Sequence, residues 1–349
     1  LGAAAPGQPP RDRLDMQVAA LLVLRPPDSP ADTLPAFRRG VLLMLREAYY
    51  SGERQTKEET VVELNPGRIP PADLRWIREL AEWLGDVVVV PEQEDETYPG
   101  RAWRYPGAAD DGTNVDNSNT QYAVLGLKAA SRMGVHLPDS RVWRDVVDYV
   151  LAAQEEDGPE VQRKPPAMKQ TGEYVFPKNY TTPQPVDEAR GWGYLPAVGR
   201  ATGAMTTAGL AALVTAQSEL YEAGVLPRDK DLEARIVRGV ADGMAWLGDE
   251  FSVERNPGGG GWLYYYLYGL ERAGVLCQTE FFGEYAWYLF GAEYLVEQQS
   301  RDGSWTEERR GGGPEAVPEV DTAFALLFLK RGTVPVKVPP VQEAIVTQD

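Results

Sequence analysis

Glu319 and Asp321 stand two residues apart in PEVDTA (318–323), where the apolar run FALLFL begins. Carboxyls so placed are candidate proton donors or acceptors, and they are the catalytic candidates if the chain is an enzyme. An aspartate before an apolar run also reads as a helix cap, and a helix that starts at Asp321 sends the two side chains apart. A second polar cluster, Asp116-Asn117-Ser118-Asn119, precedes QYAVLGL in the same way. Helix N-termini attract anions, yet the charges of Asp116, Glu319 and Asp321 oppose one there. The pair Asp110-Asp111 reads as a solvated turn rather than a metal ligand. One cysteine, Cys277, and one histidine, His136, are too few for zinc, which wants thiolate or imidazole ligands at fixed distances. No metal and no cofactor is expected. His136, in RMGVHLPDS, reads as a loop residue and Cys277 as a small core residue.

The aromatic residues are the richer set. Trp192, Tyr194, Trp262, Tyr264, Tyr265, Tyr266 and Tyr268 cluster in sequence, and Tyr122 follows Asn119. Helical spacing puts Tyr264 and Tyr268 on one side, with Tyr266 roughly opposite. Together with Asp116 and Asn119 these rings are the candidate lining of a binding cavity. Aromatic walls hold cations, sugars or lipids, and they also simply pack.

The elements that position these residues recur. NTQYAVLGL (119–127), MTTAGLAAL (205–213), WLYYYLYGL (262–270) and DTAFALLFL (321–329) lie over one another, and a weaker copy, QVAALLVL, ends at Leu24. Their last leucines, Leu127, Leu213, Leu270 and Leu329, are 86, 57 and 59 residues apart. A period near 58 holds two helices and two connections, so each unit is a helical hairpin. DLEARIVRGVADGMAWL puts Leu232, Ile236, Val240, Met244 and Leu247 on one face and Glu233, Arg235 and Arg238 outside, whereas TGAMTTAGLAALVTA is small or apolar all round. Alternation of fully buried with one-faced helices predicts an all-α fold in two concentric layers, an α/α toroid of about ten to twelve helices; the alternative is an open solenoid. Only VVVV (87–90) reads as a strand.

A polar junction separates the units. QQSRDGSW (298–305) carries Gln299, Asp302-Gly303 and Trp305; AAQEEDG (152–158) carries Gln154 and Asp157-Gly158, but its tryptophan arrives only in RGWGY (190–194). The intervening 159–190, proline-rich and marginally basic, is expected to be a surface excursion with little regular structure whose deletion leaves folding intact. It is the candidate contact for a protein partner or for self-assembly. GGGGWLYYY (258–266) is a third Gly-Trp junction. The junction works as a staple: Asp-Gly turns the chain, the glutamine bonds free backbone groups at a helix end, and the ring seals the seam.

At these residues the chain resembles a known family. QSRDGSW matches the Gln/Trp repeat of squalene and oxidosqualene cyclases, and VDTAFALL resembles the helix start after their catalytic acid motif. DNSNTQYAVLGLKAA, YYYLYGLERAGVL and DTAFALLFLKRGTVPV are similar to the prenyltransferase/squalene-cyclase-like repeat proteins of planctomycete-type bacteria, over roughly 15–335. The resemblance implies the toroid and a hydrophobic or isoprenoid ligand. Class II cyclases protonate an alkene with the middle acid of Asp-x-Asp-Asp-Thr-Ala; here Pro318-Glu319-Val320-Asp321-Thr322-Ala323 keeps only the last aspartate. Protein prenyltransferase β-subunits hold zinc with Asp, Cys and His, and here His136 precedes Cys277, the reverse of their order. The expected function is therefore a binding or scaffold toroid. A divergent isoprenoid cyclase or transferase is the alternative. A glycan-acting toroid enzyme is a second, although no basic residue beside the lumen tyrosines stands out in the sequence.

The charge of −17 argues against nucleic acid, and no run of apolar residues is long enough to span a bilayer. The expected organisation is a flexible segment 1–14, one domain over 15–335 and a tail 336–349. The Pro-rich start LGAAAPGQPPRDR leans towards an exported or linker-tethered bacterial protein.

Overall fold

The computed structural model describes residues 36–55, 60–64, 67, 69–86, 92–93, 96–97, 99–104, 115–137, 139, 141–168, 174–176, 178–179, 183–196, 200–307 and 318–336. Helix dominates them. In chain order the α-helices are α1 (Ala36–Tyr50), α2 (Pro71–Asp86), α3 (Asn117–Arg132), α4 (Arg141–Ala152), α5 (Gly203–Glu222), α6 (Lys230–Asp249), α7 (Leu263–Leu276), α8 (Trp287–Gln298) and α9 (Pro318–Lys330). The odd-numbered helices touch one another in order, α1 to α3 to α5 to α7 to α9, and the even-numbered ones pack on them. The contrast expected from the pattern is present. α5 is buried from Gly203 to Leu220, whereas α6 buries Leu232, Ile236, Val240 and Leu247 and leaves Arg235 and Arg238 exposed. Leu127, Leu213 and Leu270 are core residues, and Leu329 is packed against the core. The copy ending at Leu24, the run 87–90 and Asp110-Asp111 lie outside the described residues.

Glycine sets the closest helix approach. A Cβ on Gly126 would stand 2.4 Å from the Gly40 Cα, and one on Gly40 would stand 2.0 Å from the Tyr122 carbonyl oxygen. Hence α1 and α3 cross backbone to backbone, which any side chain at either position would prevent.

Three tryptophans staple the units. The indole N–H groups of Trp103, Trp192 and Trp305 donate to the carbonyls of Leu84, Val150 and Leu295, at 2.9, 2.7 and 2.7 Å. Those carbonyls lie in the last turn of α2, α4 and α8, where helix oxygens lack intrahelical partners. The backbone N–H of each tryptophan donates to Thr120, Thr206 or Thr322 at the start of the next odd-numbered helix, at 3.2, 3.2 and 3.0 Å. Each tryptophan thereby links one even-numbered helix to the odd-numbered helix that follows. The glutamines do not bond a helix end as expected: Gln154 donates to the carbonyls of Arg190 in the junction and of Gly239 within α6, and Gln299 closes its turn on Gly303. Gly303 has φ +87, but Gly158 is required instead by the Ala189 carbonyl, 2.1 Å from where its Cβ would stand.

Two expectations are corrected. Trp262 is no staple: its backbone is left-handed (φ 66) and its ring is 47% exposed. Leu263 stands where the other units have threonine, and its N–H is capped by Glu307 at 2.9 Å. The excursion 159–190 is also more regular than its composition suggests. Glu160–Gln162 pairs antiparallel with Val186–Glu188, and Ala167–Met168 with Tyr174–Val175. Its base is anchored, because Arg163 grips the buried Asp187 at 2.5 and 2.6 Å, and Arg190 bonds the fully buried Asp242 at 2.5 Å. Removing all of 159–190 would take Arg190 away from the buried Asp242, so only the outer part is a free excursion. A further hairpin, Ser51–Gln55 with Thr60–Leu64, follows α1 and carries no clear alternation in sequence.

Candidate functional site

Tyr265, Tyr268 and Arg272 are three and four residues apart on α7, so they form one stripe. The stripe meets α3 on the far side of α5. The Tyr265 hydroxyl lies 3.2 Å from Ser118 Oγ and accepts from Gln121 Nε2, while Arg272 Nη1 donates to Gln121 Oε1 at 2.7 Å. The Arg272 guanidinium sits 4.4 Å from the Tyr268 ring centre and 5.4 Å from that of Tyr122. Phe324 of α9 closes the group, 5.6 Å from Tyr265 and stacked on Tyr268 at 5.7 Å. Three helices thus bring four aromatic rings into one cluster, two of them against a cation that is only 2% exposed.

On α7, Glu271 is fully buried beside this cluster, and Thr333 donates to it through its N–H at 3.1 Å and its hydroxyl at 2.6 Å. Burial raises the Glu271 pKa above the ordinary 4.5, against the lowering pull of Thr333, Arg272 and Arg331. A carboxyl whose pKa is higher folded than unfolded binds more protons in the folded state, so its contribution to stability grows as pH falls. Burial raises Asp116 and Glu47 in the same direction. The thermal midpoint is therefore expected to rise as pH is lowered from neutral towards 4.5, and Glu271→Gln should flatten that slope. Melting curves of both proteins across this range check it, and parallel slopes would exclude Glu271 as the cause.

Of the residues singled out in the sequence, Tyr122, Tyr265 and Tyr268 come together here, and Trp262 touches the edge of Tyr265 at 6.5 Å. Tyr264 lies one turn before Tyr268, but it is not among the rings that meet in the cluster. Its hydroxyl feels Asp321 and Glu307, and burial pushes its pKa up to about 12. A step of three residues, not four, leads from Tyr265 to Tyr268 across the face that meets α3. Tyr266 is buried against Gly203 and Pro257, and Trp192 is a staple. Tyr194 is exposed, but its carbonyl accepts from the Asn117 N–H at 3.0 Å. Asp116 caps α3 by accepting from the Asn119 N–H at 2.7 Å and from its side-chain amide at 2.8 Å.

The acid pair separates. Asp321 is 2% exposed and its Oδ2 accepts from the Glu307 N–H at 3.0 Å, while Glu319 is exposed. Asp321 holds Glu307, which in turn caps α7. His136 is exposed, with Nδ1 3.1 Å from Ser131 Oγ; Cys277 is buried, which pushes its thiol up to about 12. Among the described residues no three His, Cys, Asp or Glu side chains come together as metal ligands, and no helix is long and apolar enough to cross a membrane.

Sequence reasoning missed Arg272, Gln121 and Phe324. The signal for Arg272 was present: Glu271-Arg272 is a charged pair inside LYYYLYGLERAGVL, a helix otherwise apolar all round. Nothing in the order of residues ties it to Gln121, 151 positions away. A groove of about 360 Å³ lies elsewhere, between the excursion and α6, with Arg163, Pro165, Met244, Phe281 and Tyr285 among its walls. Both cations on its rim are already paired, Arg163 with Asp187 and Lys164 with Glu284, so the aromatic cluster is the better candidate for recognition. Compared with known proteins, the chain matches no family model, no curated protein and no solved structure.

Proposed function

We propose that this chain is a small-molecule-binding toroid of the squalene-cyclase-like type, without class II cyclase chemistry. The convergence of Tyr122, Tyr265, Tyr268 and Phe324 from three inner helices carries the reading. Such a wall suits a largely apolar molecule. The ring shape is supported by the sequential contact of the odd-numbered helices and by the side chains of α3 and α7 meeting across α5. The segment after α9 supports it too, since Arg132 of α3 bonds the carbonyls of Val334 and Pro335 and pairs with Glu47 of α1. Against cyclisation stands Asp321, whose buried carboxylate is engaged with the Glu307 backbone while Glu319 is exposed. A glycan-acting enzyme gains from the contact of Arg272 with tyrosines and loses because that arginine is buried rather than set in an open groove.

Purified protein incubated with squalene or with prenyl diphosphates is expected to yield no cyclised or transferred product. A twelve-carbon alcohol at a hundred times its Kd should stabilise the protein by about 2.7 kcal/mol in thermal melts. Products that vanish in Asp321→Ala would overturn the reading.

A further inference from the structure

Arg272 is the part of the aromatic cluster that packing does not explain. A charge taken out of water is ordinarily matched by an opposite charge. Among the described residues no carboxylate bonds Arg272; both oxygens of the adjacent Glu271 are held by Thr333. Nη1 is bonded to Gln121, whereas Nε and Nη2 are buried and have no partner at hydrogen-bond geometry, although the Tyr122 and Tyr268 hydroxyls lie close enough to interact with the guanidinium. Those two atoms form the edge of a guanidinium that grips a planar two-oxygen group through parallel N–H···O bonds. The rings of Tyr268 and Tyr122 lie against the group and hold its plane, and Gln121 is itself fixed by Tyr265.

We infer that the Nε/Nη2 edge of Arg272 receives the carboxylate of a small molecule whose remaining body is apolar or aromatic. This rests on the binding function proposed above and adds the chemical class of its ligand. One guanidinium beside one amide matches a single negative charge. A diphosphate would need further cations, and the buried lysine of α3, Lys128, is already held by Glu219 and Glu222. The ligand reaches Arg272 past Tyr265, which is only partly buried and whose hydroxyl contacts, Ser118 and Gln121, are neutral and exchangeable. The partly buried Tyr265 and the half-exposed Trp262 beside it then take the apolar body.

The test is isothermal titration of the whole chain with dodecanoate, with dodecanol, which has the same tail and no charge, and with glucuronate, which has the carboxylate on a hydrated ring. Dodecanoate should bind one to one and at least about tenfold more tightly than dodecanol, the range for a charge-assisted hydrogen-bonded pair. Arg272→Lys keeps the charge, loses the fork and should remove most of that preference. Since a change at a buried arginine can disturb folding, Gln121→Glu is the second variant. It gives Arg272 an internal carboxylate and should raise the melting temperature while weakening dodecanoate about tenfold or more. Equal binding of the two twelve-carbon probes would leave the binding function standing and remove the carboxylate. Binding of neither would remove both. A preference for dodecanoate that survives both variants would put the charge elsewhere and overturn the assignment, and glucuronate binding more tightly than dodecanoate would overturn the apolar body.

Discussion

Trp192→Ala is expected to lower stability by about 3–5 kcal/mol, the range for deleting a large aromatic side chain from a packed core. The ring is fully buried, and Gly209 and Gly243 are shaped to it: a Cβ on either would stand 2.4 or 2.6 Å from indole atoms. Its loss leaves a cavity between α4, α5 and α6 and removes the N–H that satisfies the Val150 carbonyl at 2.7 Å. Both effects act in the same direction, so the total is a third or more of the stability of an ordinary domain. Trp103→Ala and Trp305→Ala should behave alike, because each ring is buried and makes the same indole N–H bond. Trp262→Ala, at a half-exposed ring, should fall within about 1 kcal/mol of wild type. Urea unfolding of the four variants decides; a Trp192→Ala midpoint close to wild type would show that the junction is not a staple.

Lys128→Met is expected to cost about 3–5 kcal/mol, and adding Glu219→Leu should recover most of it. Lys128 Nζ on α3 lies 2.7 Å from Glu219 Oε1 and 3.1 Å from Ser218 Oγ on α5, with side-chain exposures of 4% and 9% for the ion pair. Removing the lysine alone leaves the Glu219 carboxylate buried without its cation, which is the expensive outcome. Removing both charges replaces the pair with apolar volume, which is often neutral or stabilising. Glu222 is 43% exposed and regains water, so it adds little. Unfolding free energies for the two single variants and the double variant complete the cycle. A double variant no better than Lys128→Met would refute the account.

What the sequence made legible is whatever repeats. The leucine anchors and the Gln/Asp-Gly/Trp junctions recur because each unit must bury the same face and turn the same corner, and the helices stand where those marks place them. The threonine acceptors were in plain sight: Thr120, Thr206 and Thr322 occupy the second position of three of the four aligned helix starts. Trp103 went unnoticed as a staple because no Gln-Asp-Gly run precedes it. The site was far less legible, since it is made where units differ. Arg272 and Gln121 occur once each and meet only because α3 and α7 come together 151 positions apart in the chain.

The bonds from Arg132 to the carbonyls of Val334 and Pro335 span 202 and 203 residues. In an open array each repeat touches only its neighbours, so folding starts anywhere and terminal units fray independently. Here the last described residues are laced to helices that lie near the start of the chain, with Gln278 binding the Val336 carbonyl alongside. Closing so long a loop precedes any reward from the contact, which slows folding. The same lacing couples α3 and α1 to the segment after α9, so these parts are expected to lose their structure together rather than one after another.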